Sequence, residues 1–367
     1  MSVKSIRFSG EITSNGIVNF EGSDKNYIGD KIPKIVRESL CGNGRAPNDI
    51  KRFKNIKFAK HSYVEVGKSE NGEKIYEAVL KISKDCIRQG IFKEDQPNHN
   101  PGIVYSKEIF NKFLASTAGL VRGYLFADEG IKRKSSVFIS DAVQSSKNVS
   151  TIDVGTMNTA KDKKIDADSE SGLSLHYKET ISGFTTYKFE GAIDLSELQF
   201  ISTCETYDRK AIDPDYIDFY ISELEKTVGG KVDTGFYIKN TASNGIPEQG
   251  IHLNSEQVKV LVERFFEKLF DLEIFRGASG RAWLSDLKVM FKENGIDNGE
   301  YHKFSSANEI VKNVEVCDFY TKYNEEEALK LYQDIKSKKA EVKKGKKDKV
   351  KKVNEKTSEE TNEEESE

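Results

Sequence analysis

The chain has 367 residues, a net charge of −3 and an aromatic complement of 21 Phe and 15 Tyr, which is enough for a substantial core and excludes a disordered chain. Its four cysteines, Cys41, Cys86, Cys204 and Cys317, form no CxxC pair, which excludes a zinc ribbon and a disulfide framework. The N-terminus has no apolar signal core and no window approaches a membrane span, so the expected setting is the cytoplasm, away from membranes.

In chain order, "VKSIRFSGEI" alternates like a strand, and "GIVNF" follows a Ser-Asn-Gly turn. Residues 42–52 are a basic, Gly-rich loop. "SYVEV" and "KIYEAVLKI" predict a hairpin with Asn71-Gly72 at its tip. Between Ser106 and Phe126 the spacing of Ile109, Phe110, Phe113, Leu114, Leu120 and Val121 predicts one amphipathic helix. "SSVFISDAV" reads as a strand and 144–172 as a polar excursion. "LSLHYKET" and "FTTYKFEGAIDL" read as a hairpin about Ser182-Gly183. A second polar excursion spans 204–234. "VKVLVERFFEKLF" is a helix capped by Asn254 or Ser255, and "RAWLSDLKVMF" is a strand.

This order predicts an α+β fold: a ferredoxin-like, RRM-type βαββαβ palm with inserted β-hairpins, in one domain over 1–335 with insertions near 144–172 and 204–234. Beyond it, residues 336–356 carry eleven Lys against Glu341, Asp348 and Glu355, and 357–367 carry six acids and no base. Such blocks predict a disordered tail over 336–367.

Catalytic patterns are missing. Gly67-Lys68-Ser69 is no P-loop, because Ser62 stands where that motif needs glycine. The five histidines are scattered singly, and no G-x-S-x-G elbow occurs. Asp286-Leu287-Lys288 reads as one strand's polar face. No metal, cofactor or catalytic residue is expected. The aromatic RNP patterns of an RNA-recognition module are also missing, so any nucleic-acid binding must come from shape and backbone charge.

What does stand out is arginine beside glycine. "LASTAGLVRGY" (Leu114 to Tyr124) thins to small residues, Gly119 among them, before Arg122 and Gly123. "CIRQGIF" places Arg88 near Gly90, "IKRKSS" carries Lys132, Arg133 and Lys134, "YDRKA" carries Arg209, and "RGASGRAW" carries Arg281. A guanidinium fork beside an unobstructed backbone N–H suits a phosphate chain. The small run before Arg122 is expected to let RNA or a neighbouring subunit approach closely.

"ISKDCIRQGIF", "FLASTAGLVRGYLF" with the following "KRKSS", and "ELQFISTCETYDRKA" resemble the repeated backbone subunit of type I CRISPR surveillance complexes (Cascade, RAMP superfamily), in particular its minimal, variant type I-F form. "VKSIRFSGEITSNGIVNF" and "KIPKI" are similar too, so the resemblance runs intermittently to about residue 290. It implies a hand-like fold of palm, fingers and thumb. It also implies a non-catalytic subunit that polymerises head to tail along the CRISPR RNA and presents it for pairing with target DNA in antiviral defence. The implied partners are the guide, target DNA through the guide, further copies of the chain, and other Cascade subunits including the guide-processing nuclease. Carried over by position, the guide contacts are Arg88, Gly119, Arg122, Gly123, Lys132, Arg133 and Lys134, followed by Arg209 and Arg281. The thumb is the hairpin 173–192 or the loop 42–52. Two alternatives stay open: a type III-like subunit cutting target RNA with a loop aspartate (Asp153, Asp162, Asp166 or Asp168), and an RNA-free assembly protein whose Arg–Gly segments serve packing.

Overall fold

The computed structural model describes residues 3–20, 55–57, 59–93, 107–128, 130–158, 173–204, 210–240, 245–277, 280–293, 296–297 and 300–334. The loop 42–52, Asp162, Asp166, Asp168, Arg209 and the charged tail 336–367 lie outside the described residues.

Strand β1 (Val3–Gly16) sets the architecture. Ile6, Phe8 and Ile12 are buried on one side, while Ser5, Arg7, Ser9 and Glu11 alternate onto the other. After it come β2 (Asn55–Lys57), the hairpin β3 (His61–Lys68) and β4 (Lys74–Ile82), and the helices α1 (Lys84–Ile91) and α2 (Lys107–Leu114). A π-helical turn (Ala118–Arg122) leads to β5 (Tyr124–Phe126), β6 (Ile131–Arg133), β7 (Val137–Ile139) and β8 (Ala142–Gln144). Next are β9 (Ser150–Asn158), β10 (Leu173–Ile181), β11 (Phe184–Asp194), α3 (Leu195–Gln199) and β12 (Phe200–Ser202). Then follow α4 (Ile217–Val228), β13 (Asp233–Lys239), β14 (Glu248–His252) and α5 (Ser255–Phe270). The remaining elements are β15 (Glu273–Phe275), β16 (Gly280–Glu293), β17 (Ile296–Asp297), β18 (His302–Lys303), α6 (Ala307–Lys312) and β19 (Tyr320–Tyr323).

The large sheet runs β15-β16-β1-β11-β8-β4-β3, with β7 also paired to β11. β1 lies antiparallel to both β11 and β16. On the apolar side of β1, Phe8 meets Phe265 and Phe266 of α5, and Phe92 at the end of α1 meets Phe265. Helix α5 starts where the sequence places it, with Asn254 and Gln257 forming a reciprocal capping box. Two glycines let the aromatic layer close over β1 and β11. Gly10 faces Phe189 and Gly191 faces Phe8, and a Cβ at either glycine would overlap the opposing ring. A second sheet, β12-β14-β13-β19, sits beside the first, and smaller ones are β2-β10-β9 and β5-β6. No helix among the described residues is long and apolar enough to cross a membrane.

Several sequence expectations need correcting. The strand continues through Ser14 and Asn15, because Asn15 is held between Phe184 and Arg281, and β1 ends at Gly16, which pairs with Gly280 and has φ 76°. The single helix over 106–126 is broken. α2 stops at Leu114, a π-helical turn follows, and Tyr124–Phe126 is a strand. β10 and β11 both exist, and Gly183 makes the turn with φ 78°, yet they do not pair as a hairpin. β11 is taken by β1 over eleven register pairs on one edge and by β7 and β8 on the other, while β10 pairs with β9 and β2. The reading of 173–192 as a hairpin therefore fails, and the antiparallel pair that includes β10 is β9–β10. That pair also puts strand into the excursion 144–172, where β-branched Thr151, Ile152, Val154 and Thr156 lie beneath a polar composition. Asp153 sits within β9 opposite Lys178 rather than in a loop. The excursion 204–234 contains α4, whose buried Tyr220, Leu224 and Val228 recur every four residues.

The glycine–phenylalanine pairing gives a direct test. Gly191→Ala should destabilise the chain by about 1–3 kcal/mol through overpacking, read as a lowered urea midpoint at unchanged slope. Gly230→Ala, which meets only Gln257 Nε2 at 3.7 Å, should leave the midpoint close to that of the parent.

Candidate nucleic-acid interface

The small residues before Arg122 serve the chain's own backbone. Ser116 Oγ donates to the Phe113 carbonyl at 2.6 Å, and the chain folds back onto the end of α2. Gly119 is buried there, and a Cβ would run into the carbonyls of Phe113 and Leu114. The expectation that this run admits RNA or a neighbour is thereby corrected, since what approaches Gly119 is α2. Gly123 ends the turn at φ 72°, and a Cβ would sit 2.6–2.7 Å from backbone atoms of Arg133, Lys134 and Ser135. Glycine meets both the positive φ and the contact.

A helical end exposes carbonyls that need donors. Here three consecutive carbonyls are capped by side chains from elsewhere. Arg133 Nε donates to Leu120 O at 3.1 Å. Ser136 donates to Val121 O from its backbone N–H at 3.1 Å and its hydroxyl at 3.0 Å. Arg88 Nη2 donates to Arg122 O at 2.9 Å. Arg133 spends the rest of its fork on the carbonyls of Phe200 (3.1 Å) and Glu197 (2.9 Å) and is 9% exposed. Its carried-over role as a guide contact is therefore corrected: it ties the turn to α3 and β12 from inside.

Arg88 and Arg122 remain at the surface of this corner, both half-buried. α1 presents Arg88 from a helix whose N-terminus is capped by Ser83. Its Nη2 also lies 3.3 Å from Ser135 Oγ, and its Nε is buried with no partner among the described residues. The pKa of Arg88 is drawn down, first by burial and next by the positive charge of Arg122, against the pull of Asp85. Among the described residues no carboxylate is paired with Arg122. The two positive charges repel each other, an arrangement that favours an anion between or beside them. Lys134 is exposed in the strand-to-strand segment just beyond Gly123. Lys132 is held by its backbone N–H to Lys210 O at 2.9 Å, so the chain beside Arg209 returns to this corner.

Arg281 stands elsewhere. Its Nε donates to Glu273 Oε1 at 2.6 Å and its guanidinium lies 4.9 Å from the Phe275 ring. It pairs in register with Asn15, opposite the start of β11, whereas the Arg88–Arg122 corner lies at the end of β11, where Asp194 N–H bonds Ser136 O. Ten residue steps of strand separate those ends, roughly 33 Å. The structure thus brings together Arg88, Arg122, Gly123 and Lys134 and leaves Arg281 out.

A groove of about 670 Å³ opens beside Arg88 and Ser135 at the same end of the sheet. Lys4, Lys84, Arg88, Lys239 and Lys292 line it, against one carboxylate, Asp194. Asp194 caps α3 by accepting from Ser196 N–H at 2.9 Å, and Lys239 binds Ser196 Oγ at 3.0 Å. Lys4, Lys84 and Lys292 escape a reading based on motifs, because each stands singly. Only the antiparallel register, which sets Ser5 against both Asp194 and Lys292, brings them together.

A family model described as "Type I-Fv CRISPR-associated protein Cas7fv-like" matches residues 2–325. One similar solved chain comes from a cryo-EM structure of the Type III-B Cmr-beta bound to cognate target RNA. It is 14% identical, with a TM-score of 0.27, and the match covers 52% of this chain and 47% of that one. Another comes from a CRISPR RNA-guided surveillance complex, at 11% identity and a TM-score of 0.30, covering 84% of this chain and 98% of that one. This chain thus spans about half the length of the first of these, and at such TM-scores neither overlay bears on function. No curated protein sequence matches this chain.

The two arginines of the corner should separate in a stability measurement. Arg133→Met strands two buried carbonyls and a part-buried one and should cost about 3 kcal/mol or more. Arg122→Ala removes no capping bond and should stay within about 0.5 kcal/mol of the parent. Urea unfolding of both variants checks this.

Proposed function

The chain belongs to the Cas7fv-like family of type I-Fv CRISPR-associated proteins, and from that premise we propose that it is a non-catalytic backbone subunit that grips CRISPR RNA by its phosphates. The observation that carries this reading is the Arg88–Arg122 corner, where one arginine caps the backbone of the other and the second, half-buried, has no carboxylate partner among the described residues. A guide phosphate supplies the missing charge. Lys134 and the groove lysines extend the positive surface along the same end of the sheet. The protein then reads backbone and shape, while the guide's bases are left to read target DNA.

The strand order supports an RRM-type palm within a single domain over 1–335. β16, β1, β11 and β7 are neighbours in that order, with helices between β1 and β7 and between β11 and β16, which is the connection pattern of a βαββαβ unit. Copies of the chain stack head to tail along the guide, a heterologous contact whose extent is set by its template. The guide-processing nuclease and other Cascade subunits complete the particle.

Salt dependence tests the grip. Binding of the chain to a single-stranded CRISPR RNA should weaken steeply as salt rises. Arg122→Ala should weaken it further and reduce the log–log slope by about 0.7, the loss of one single-strand phosphate contact. Affinity that ignores salt, or a slope untouched by the substitution, would contradict the proposed role of Arg122.

A further inference from the structure

We infer that Phe138 is a base-stacking platform on the floor of the cationic groove, so that single-stranded RNA is held there through one base as well as through its phosphates. Phe138 is the middle residue of β7. Its neighbours Val137 and Ile139 are buried at 3% and 2% exposure, whereas its own ring is 63% exposed. It pairs in register with Ala192 of β11, whose side chain is too small to cover the ring. The ring makes no aromatic contact among the described residues.

A lone exposed phenylalanine on a neutral surface needs no explanation. This one lines the same groove as Lys4, Lys84, Arg88 and Lys292. The one carboxylate among the described lining residues, Asp194, is occupied with the N-terminus of α3. A positive groove with an aromatic face at its floor is the combination by which proteins hold single strands without reading their sequence. The phosphates meet the cations and any base can cover the ring. A purely electrostatic groove leaves no reason for the apolar face, and a purely apolar patch leaves none for the ring of cations. A guide of arbitrary sequence requires this sequence-tolerant grip.

The inference rests on the reading that the groove takes the guide, and the test keeps the two apart. Binding of a single-stranded RNA is measured across salt for the full chain, Phe138→Ala, Phe138→Tyr and Arg122→Ala. Phe138→Ala should weaken binding about 5- to 100-fold with an unchanged salt slope, since stacking is lost and no phosphate contact with it. Phe138→Tyr should bind like the parent. In a Trp283→Phe, Phe138→Trp chain, whose sole tryptophan stands at position 138, oligouridylate should quench the fluorescence. Parent-like affinity for Phe138→Ala, alongside a loss for Arg122→Ala, overturns the stacking role and leaves the guide reading intact. A parent chain without RNA affinity overturns both. If Phe138→Ala lowers particle mass but not RNA affinity, the ring packs against a second copy and the stacking role falls.

Discussion

Everything at the candidate interface depends on how one short helical end is closed. The π-helical turn Ala118–Arg122 leaves three carbonyls in a row, and Arg133, Ser136 and Arg88 each bring a donor to one of them. A π-helical turn is a rare element that persists only when its surroundings hold it, and here the holding groups come from α1 and from the segment around β6 and β7. Those same bonds fix where Arg122 leaves the backbone. The positive charge of Arg88, placed against the carbonyl pole of the turn, lies close enough to Arg122 to repel it. The closure of the turn therefore sets two half-buried cations side by side.

The sheet explains why this corner is rigid. The long pairing of β1 with β11 and β16, closed by the crossed Gly10–Phe189 and Gly191–Phe8 contacts, fixes the end of β11. That end carries Asp194, which bonds Ser136 and caps α3. α3 in turn offers the Glu197 carbonyl to Arg133. Core packing, helix capping and the cationic surface are consecutive links in one chain of contacts. Arg133 is charged but acts from within, and Arg122 is the residue of this arrangement proposed to meet the guide.

Much of this was legible in the sequence where the determinant is local. The alternation of β1, the Asn71-Gly72 hairpin and the Asn254 cap of α5 follow from residue type and spacing alone. The misreadings share a non-local cause. Ser182-Gly183 makes the expected turn, but both edges of β11 are taken, one by β1 and the other by β7 and β8, which leaves β10 to β9 and β2. Two of the arginine–glycine segments do meet in one corner, at Arg88 and Arg122, yet their spacing says nothing about which guanidinium is consumed by carbonyls contributed by α3 and β12. Gly119 is small because α2 turns back over it, a contact between residues that no periodicity reveals. Phe138 was invisible for the same reason, since one aromatic in "SSVFISDAV" acquires meaning only when register sets it beside lysines from β1, α1 and β16.

The most direct test of the central claim is co-purification of the chain with a CRISPR array and its processing nuclease, with bound RNA and particle mass measured together for the parent and Arg122→Ala. A multimeric particle that holds RNA of guide length and grows in mass with the length of the guide, and that loses its RNA in Arg122→Ala, is the predicted result. An RNA-free monomer with and without the array, or a particle whose mass ignores guide length, would contradict it.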